Sequence, residues 1–322
     1  ADEDDCDDEG WYWFGSNGKM YKDTGKKKVN GRYYMFNEHG QMLYEWINNT
    51  PTKVTGTPSN AQLDGIATAG SATIENMYYF DDGEAEHADV AKDYATHDED
   101  GAVYVAKIKV DSSKGKKYFA FNEKGQMQTG LQYIRDDGGF YYFDENGYMQ
   151  DGKVSDVECD DDTYGFYFNT NNGKNGQGYT GEKDNYLYFN GKRLEADDDY
   201  RLYLVGGDIY LVSDKGKIQY SKSDNKKYDI ENEEIESEDV VVTFKGKKVD
   251  TVTLPDKTSY TAAELIAKAK ENINSKNFDP SEDAIVSIPF IQLYDDDQYT
   301  YSVEGDKFVE GWRKLNVPKD NN

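Results

Sequence analysis

The amino-acid sequence predicts a mainly β protein, a β-hairpin repeat solenoid followed by a small α+β domain at the C-terminus. Three observations lead to this prediction. A short aromatic motif recurs at a nearly constant spacing, aromatic residues make up 14% of a chain that is only 36% hydrophobic, and the sequence pattern changes near residue 239. Tyrosine, with 28 copies, carries much of the apolar surface. Its ring packs while its hydroxyl group reaches water, which suits half-exposed strands.

The recurring motif consists of an aromatic anchor, a glycine four positions later and a methionine six positions later. The full motif begins at Phe14, Phe36, Phe121 and Phe143, and looser copies begin at Phe80, Phe168, Phe189 and Val212. The first two anchors are 22 residues apart, as are the third and fourth. Such regular spacing indicates a structural repeat.

Each motif is typical of a β-hairpin. A run of aromatic residues, which favour strands, precedes the anchor, as in Tyr33, Tyr34 and Phe36. The glycine supplies the positive φ that a tight turn needs, and the methionine begins the returning strand. A single hairpin of this size buries too little apolar surface to offset its backbone entropy, so neighbouring hairpins are expected to stack and share a core.

Beyond the repeats, residues 221–239 are polar and charged and are predicted to form a linker. Residues 240–244 and 248–254 then indicate a strand pair, and Thr261 with Glu264 forms a capping box that begins a helix over residues 262–275. Residues 285–294 and 299–303 indicate two further strands. These elements predict the small α+β domain, over residues 239–322.

The motif resembles the cell-wall-binding repeats of choline-binding proteins, the related glucan-binding repeats and the C-terminal repeats of the large clostridial toxins. The resemblance covers residue 10 to about residue 220 and divides this part of the chain into three. Residues 1–46 and 114–222 are hairpin repeats of the cell-wall-binding type, and residues 47–113 are degenerate repeats or an insertion.

The resemblance also implies ligand-binding positions. In choline-binding members, choline sits in an aromatic cage built from the residue three before the anchor and a tryptophan ten after it, and cation–π attraction explains this choice. At these positions the present sequence has Trp11, Tyr33, Trp46, Tyr118, Phe140 and Tyr186. Cage-grade aromatic residues at both positions remain only in the N-terminal block. Each of these rings could instead simply fill the core.

Composition and motifs narrow the function. The net charge of −26 disfavours nucleic acid, whose phosphates require clustered basic residues. The sequence has no run of about 18 apolar residues that would predict a transmembrane segment. It also contains no recognisable catalytic signature, metal-binding motif or cofactor fingerprint, so we expect neither metal nor cofactor.

These observations predict a protein that is not an enzyme and that binds a cell-wall polymer or glycan for surface attachment. Two alternatives stay open: choline binding limited to the N-terminal repeats, and a wall-active enzyme tethered by the repeats. The chain begins with Ala1 and an acidic run, which is typical of a mature secreted chain or of a trimmed one. We expect it to be secreted or on the cell surface of a Gram-positive-type bacterium.

Two cysteines, Cys6 and Cys159, each precede a repeat strand. An extracellular protein could join them in a disulfide. An extended array of repeats would instead hold them too far apart to bridge, which favours two unpaired thiols.

Overall fold

The computed structural model describes residues 10–22, 24–48, 77–89, 105–159, 162–171, 173, 175–223, 225–232, 237–273, 286–292, 300–304 and 307–309. Over these ranges the protein is mainly β, as predicted. The chain divides into two compact units, Ala1–Gln150 and Asp151–Asn322. The described strands form seven separate sheets, none of them closed, so a continuous solenoid stays a prediction.

The first unit contains four small antiparallel sheets. They comprise β1 (Thr24–Val29) with β2 (Arg32–Phe36); β3 (Glu45–Asn48), β4 (Met77–Asp81) and β5 (Glu84–Ala85); β6 (Val105–Val110), β7 (Lys117–Asn122) and β8 (Met127–Gln128); and β9 (Gly130–Ile134) with β10 (Gly139–Phe143). A single turn of 3-10 helix, Arg135–Asp137, joins β9 to β10.

The predicted motif is a real structural unit, because its anchor pairs with the residue six positions later across a tight turn. The paired residues are Phe14–Met20, Phe36–Met42, Phe121–Met127, Phe143–Met149 and Val212–Ile218. In the second copy the Asn37 carboxamide oxygen accepts hydrogen bonds from the backbone N–H groups of His39 and Gln41, at 3.0 and 2.9 Å. Gly40 has a φ of 83°, as this turn requires.

In the first unit, the methionine of one repeat packs on the glycine of the next. The contacting pairs are Met20 with Gly40, Met42 with Gly83, and Met127 with Gly147. At Gly147 an added β-carbon would lie 2.6 Å from the Met127 sulfur, so a side chain there would displace the methionine. Glycine is therefore needed at this position for two reasons: it adopts the positive φ of the turn, and it leaves room for the methionine of the preceding repeat.

Backbone hydrogen bonds also join successive repeats. The Met42 N–H donates to the Trp11 carbonyl at 2.8 Å, and the Met149 N–H donates to the Tyr118 carbonyl at 3.1 Å. In both cases the methionine of one repeat binds the residue three positions before the anchor of another repeat. The same repeat position thus makes the same contact at two places in the unit.

The second unit contains three sheets and the α-helix α1 (Ala262–Ile273). In sheet order, the five-stranded sheet consists of β11 (Gly152–Cys159), β12 (Asp162–Phe168), β15 (Lys192–Arg193), β14 (Tyr186–Phe189) and β13 (Gly181–Lys183). The seven-stranded sheet consists of β18 (Ile218–Gln219), β17 (Asp208–Ser213), β16 (Tyr200–Val205), β19 (Lys227–Ile230), β20 (Ser237–Lys245), β21 (Lys248–Thr253) and β22 (Ser259–Thr261). The three-stranded sheet consists of β23 (Phe290–Gln292), β24 (Thr300–Glu304) and β25 (Lys307–Val309).

The seven-stranded sheet contains strands from both sides of the linker that the sequence predicted between the repeats and the C-terminal domain. Strands β16, β17 and β18 were predicted to belong to the repeats, and strands β20, β21 and β22 to a separate domain. In the structure all six are in this one sheet. Strand β19 connects the two parts by pairing in parallel with β16 and antiparallel with β20. This strand lies in the predicted linker, where Tyr228 is only 2% exposed and packs in the same core as Leu202 and Leu265.

The local predictions for this region agree with the structure. Strands β20 and β21 pair across the expected turn, and α1 begins directly after Thr261. The capping box is formed, because the Thr261 N–H donates to Glu264 Oε2 at 2.7 Å and the Glu264 N–H donates to Thr261 Oγ1 at 3.3 Å. Strand β23 falls within the predicted strand 285–294, and β24 overlaps the predicted strand 299–303 and extends one residue beyond it.

Candidate functional site

An aromatic cleft lies between the first two repeats of the first unit. It is a cavity of about 470 Å³ whose lining includes five of the chain's tyrosine and tryptophan rings. The lining residues are Trp11, Tyr12, Trp13, Tyr34 and Tyr44, together with Val29, Asn30, Phe36, Met42 and Asp82. We call these ten residues the N-terminal cleft.

Backbone hydrogen bonds from the first and second repeats hold the two tryptophans in place while leaving their rings accessible. The Met42 N–H donates to the Trp11 carbonyl at 2.8 Å, and the Tyr21 N–H donates to the Trp13 carbonyl at 2.9 Å. The Trp11 side chain is nevertheless 72% exposed and that of Trp13 is 39% exposed. Large apolar rings grouped at one open cavity are typical of a binding site.

One wall of the cleft carries negative charge. Asp82 lies in the turn between β4 and β5 with a φ of 46°, and its side chain is exposed. Burial and, to a smaller extent, the charge of Asp82 raise the pKa of the Tyr44 hydroxyl group, so Tyr44 stays neutral at physiological pH and can donate a hydrogen bond. The cleft thus combines aromatic faces, a hydroxyl donor and a carboxylate.

Of the six aromatic residues that the sequence predicted as ligand contacts, Trp11 lies in the N-terminal cleft and the other five do not. Tyr33 faces away from the cleft, because alternate residues of β2 point to opposite sides of the strand, and Tyr34 lies in the cleft instead. The Lys28 ammonium group lies 5.4 Å from the centre of the Tyr33 ring.

Trp46 and Phe140 belong to the core and present no free face to a ligand. Trp46 is 2% exposed, and its ring packs edge-on against Tyr79 and Phe119 at centroid distances of 5.3 and 4.9 Å. Its indole N–H donates to the Asp111 carbonyl at 3.0 Å. Phe140 is 0% exposed and packs against Tyr133.

Tyr118 and Tyr186 remain partly exposed, but basic side chains of the protein lie over both rings. Lys107 and Lys109 lie 5.0 and 5.6 Å from the centre of the Tyr118 ring. The Arg193 guanidinium group lies 5.6 Å from the centre of the Tyr186 ring. A cation from outside would have to compete with these groups.

The sequence-based prediction missed Trp13, Tyr34, Tyr44 and Asp82 as cleft residues. Tyr34 could have been found from the two-residue periodicity of strands, because it precedes the anchor Phe36 on the same side of β2. Trp13 lies outside the strands and its neighbour Tyr12 lines the same cleft, so this periodicity does not predict it. Tyr44 and Asp82 carry no such signal. Asp82 reaches the cleft from a later hairpin, and this contact depends on how the repeats stack.

Other site predictions concern metals, thiols and membranes. No group of three or more His, Cys, Asp or Glu side chains in the described ranges is placed to hold a metal ion. Cys159 is buried at the end of β11, whereas Cys6 lies outside the described residues, so their pairing stays a prediction. In the part of the chain that the structure describes, every helix is too short or too polar to cross a membrane.

Comparison with known proteins shows similarity only at the level of structure. No protein-family model and no curated protein matches the chain. Among solved structures, it is similar to CbpJ from Streptococcus pneumoniae, with 16% identity, coverage of 80% of this chain and 90% of CbpJ, and a TM-score of 0.28. Choline binding protein F from the same organism has 12% identity, with coverage of 78% and 93% and a TM-score of 0.27.

A third similar structure is an alternansucrase in complex with isomaltononaose, at 19% identity and a TM-score of 0.22. The match covers 76% of this chain but only 18% of the alternansucrase chain. These similar structures thus include choline-binding proteins and an alternansucrase.

Proposed function

We propose that this chain is an extracellular binding protein that attaches to a cell-wall polymer or another glycan through the N-terminal cleft. The exposure of Trp11 and Trp13 at a cavity of about 470 Å³ is the observation that carries the proposal. Flat indole faces stack on the apolar faces of sugar rings, and hydroxyl groups such as that of Tyr44 fix a sugar by hydrogen bonding. Ligand sites commonly combine an apolar lining with a few such polar groups.

A second candidate ligand is a quaternary ammonium group such as choline. The presence of Asp82 in the lining favours it, because a carboxylate beside aromatic faces attracts a cation that the rings also bind. This site would be limited to the N-terminal repeats. Neutral sugars and cations can be distinguished by competition, as set out below.

We propose a binding protein rather than an enzyme. Glycoside hydrolysis generally uses two carboxyl groups that flank the scissile bond. Among the residues that line the N-terminal cleft, Asp82 is the one acidic residue. Release of reducing sugar from peptidoglycan or glucans by the purified chain would contradict this part of the proposal and favour the tethered-enzyme alternative.

The binding proposal is tested by sedimenting the chain with purified Gram-positive cell wall and by a glycan array. Replacing both cleft tryptophans, Trp11→Ala with Trp13→Ala, is expected to weaken binding at least tenfold, or about 1.4 kcal/mol. Tyr220→Ala is the matched control, because Tyr220 is also exposed, at 49%, but lies outside the cleft. Full retention by the double variant, or an equal loss in Tyr220→Ala, would contradict the proposal.

Competition then identifies the ligand. Release from the wall by a neutral oligosaccharide, with no effect of choline, supports the glycan. Release by choline, with loss of this effect in Asp82→Asn, supports the quaternary ammonium group. Fractionation of producing cells into medium, wall and cytoplasm tests the proposed location.

A further inference from the structure

The ammonium group of Lys107 lies between two tyrosine rings in the first unit. Its Nζ atom is 4.2 Å from the centre of the Tyr141 ring and 5.0 Å from the centre of the Tyr118 ring. The same atom lies 2.7 Å from a carboxylate oxygen of Asp137. The Lys107 side chain is only 16% exposed, so these three groups replace much of its hydration.

Four elements of the fold assemble this arrangement. Lys107 is on β6 and is paired with Ala120 on β7, which also carries Tyr118. Tyr141 is on β10, in the following repeat, and Asp137 is in the 3-10 turn before it. Because Tyr118 and Tyr141 come from successive repeats, the arrangement lies between two hairpins.

The surrounding groups are fixed in place. Tyr141 is 3% exposed, and its hydroxyl group is hydrogen-bonded to Asp137. Burial, followed by the negative charge of Asp137, raises the pKa of the Tyr141 hydroxyl well above its usual value, so Tyr141 stays neutral. Two aromatic ring faces and one carboxylate form a cage that suits an alkylammonium ion.

Other predicted ligand positions show a simpler form of the same contact. Lys28 lies over Tyr33 and Arg193 lies over Tyr186, at 5.4 and 5.6 Å from the ring centres. Lys107 differs from both because its ammonium group contacts two rings at once, while it also pairs with Asp137, as Arg193 pairs with Glu195. At Tyr118, therefore, the cation between two aromatic rings comes from the chain itself.

We propose that Lys107 is the built-in occupant of a cation cage formed by Tyr118, Tyr141 and Asp137, and that it closes this cage to external alkylammonium ions. The cage is a site of the kind that binds a quaternary or alkylated ammonium group, and the Lys107 ammonium group of the chain itself occupies it. Tyr118 is then unable to bind a cationic ligand in the native protein. Removal of Lys107 opens the space between the two rings, while Lys109 stays 5.6 Å from the centre of the Tyr118 ring. This inference is independent of what the N-terminal cleft binds.

The test uses calorimetric titration of the full chain with tetramethylammonium chloride, against sodium chloride at equal ionic strength. All variants also carry Trp11→Ala, so that the N-terminal cleft contributes little. Lys107→Ala is expected to bind tetramethylammonium at least tenfold more tightly than its parent. Lys107→Met, whose side chain still fills the space, is expected to bind as weakly as the parent.

Lys116→Ala is the matched control, because it removes the same charge from an exposed lysine of the same unit. It is expected to leave tetramethylammonium binding at the parent level. No gain of affinity in folded Lys107→Ala, or an equal gain in Lys116→Ala, would overturn the proposal.

A measurement on the unmutated chain decides the matter if Lys107→Ala does not fold. The Lys107 amine is expected to be acetylated at least tenfold more slowly than that of Lys116, as measured by mass spectrometry. Asp137→Asn removes the charge that holds Lys107 in the cage and is expected to speed its acetylation severalfold. Equal rates for Lys107 and Lys116 in the unmutated chain, or no effect of Asp137→Asn, would overturn the proposal.

Discussion

Trp11 and Trp46 show how differently two tryptophans of the same repeat family can be placed. Trp11 is 72% exposed at the N-terminal cleft, whereas Trp46 is 2% exposed within the core. The surroundings of Trp46 explain its burial, since Tyr79 and Phe119 come from strands that are distant in sequence. Phe140 is also fully buried, although it occupies the same motif position as Trp11, three before the anchor. Motif position therefore does not decide whether a ring is available to a ligand.

The glycine of each repeat allows a direct test of how repeats stack. Gly147→Ala would place a β-carbon 2.6 Å from the Met127 sulfur and 2.9 Å from Phe119, both of which are fully buried. The substitution also forces alanine to a φ of 81°. We expect a loss of about 1–2 kcal/mol from the backbone and about 1–3 kcal/mol more from overpacking.

Gly18→Ala is the matched control for this prediction. Gly18 occupies the same repeat position with a φ of 72°, but nothing lies within 4 Å of the added carbon. It should cost only the backbone part. Urea unfolding followed by tryptophan fluorescence gives both values, and equal losses in the two variants would contradict packing of methionine on glycine.

At the scale of elements, the sequence correctly predicts the features that depend on residues close together along the chain. The hairpin turns, the capping box at Thr261 and the pairing of β20 with β21 all agree with the structure. Strand β19 was missed because its charged flanks made residues 221–239 resemble a linker. Tyr228 and Ile230 are buried there by strands that lie before and after them in sequence, and local patterns do not report such contacts.

The capping box of α1 should contribute measurably to the stability of the second unit. Thr261→Ala removes the hydroxyl group that accepts a hydrogen bond from the Glu264 N–H at 3.3 Å. Loss of such a cap typically costs about 0.5–2 kcal/mol. Thermal unfolding followed by circular dichroism measures this loss of stability. Glu264→Gln is the control, because glutamine can still accept the Thr261 N–H bond.

The same cap predicts a dependence on pH. Hydrogen bonds from the Thr261 backbone and hydroxyl groups lower the pKa of the Glu264 carboxyl below its ordinary value of 4.5. Because the pKa is lower in the folded state, the stabilisation is present above pH 4.5 and is lost as the pH falls through the lowered value. The stability advantage of the parent over Glu264→Gln should therefore shrink in acid, and an advantage that persists unchanged at low pH would contradict the assignment.

At the scale of the whole molecule, the excess of acidic residues defines the surface. The chain has 63 acidic and 37 basic residues, and some of the basic side chains lie over tyrosine rings. The net charge of −26 keeps such a chain soluble through self-repulsion and disfavours anionic polymers. Within this acidic molecule, the aromatic rings of the N-terminal cleft form an apolar site on which a neutral or cationic ligand is not repelled.

The two compact units predict where the chain can be divided. Each of the seven sheets lies entirely within residues 1–150 or 151–322. We therefore expect both fragments to fold separately, each with cooperative thermal unfolding, and we expect the first fragment to retain the binding activity of the N-terminal cleft. Circular dichroism and the wall-sedimentation assay measure these two properties.

Division at residue 222, where the sequence predicts the end of the repeats, is the matched control. This cut separates β16 to β18 from β19 to β22 and so divides the seven-stranded sheet. It would also part Leu202 and Leu211 from Val242 and Leu265, which share one core. Loss of those contacts, at roughly 1.5–3 kcal/mol for each large side chain, exceeds what a small domain can spare. The fragment 223–322 should therefore fail to unfold cooperatively, and a stable, monomeric fold for it would show that the C-terminal region is the separate domain that the sequence indicates.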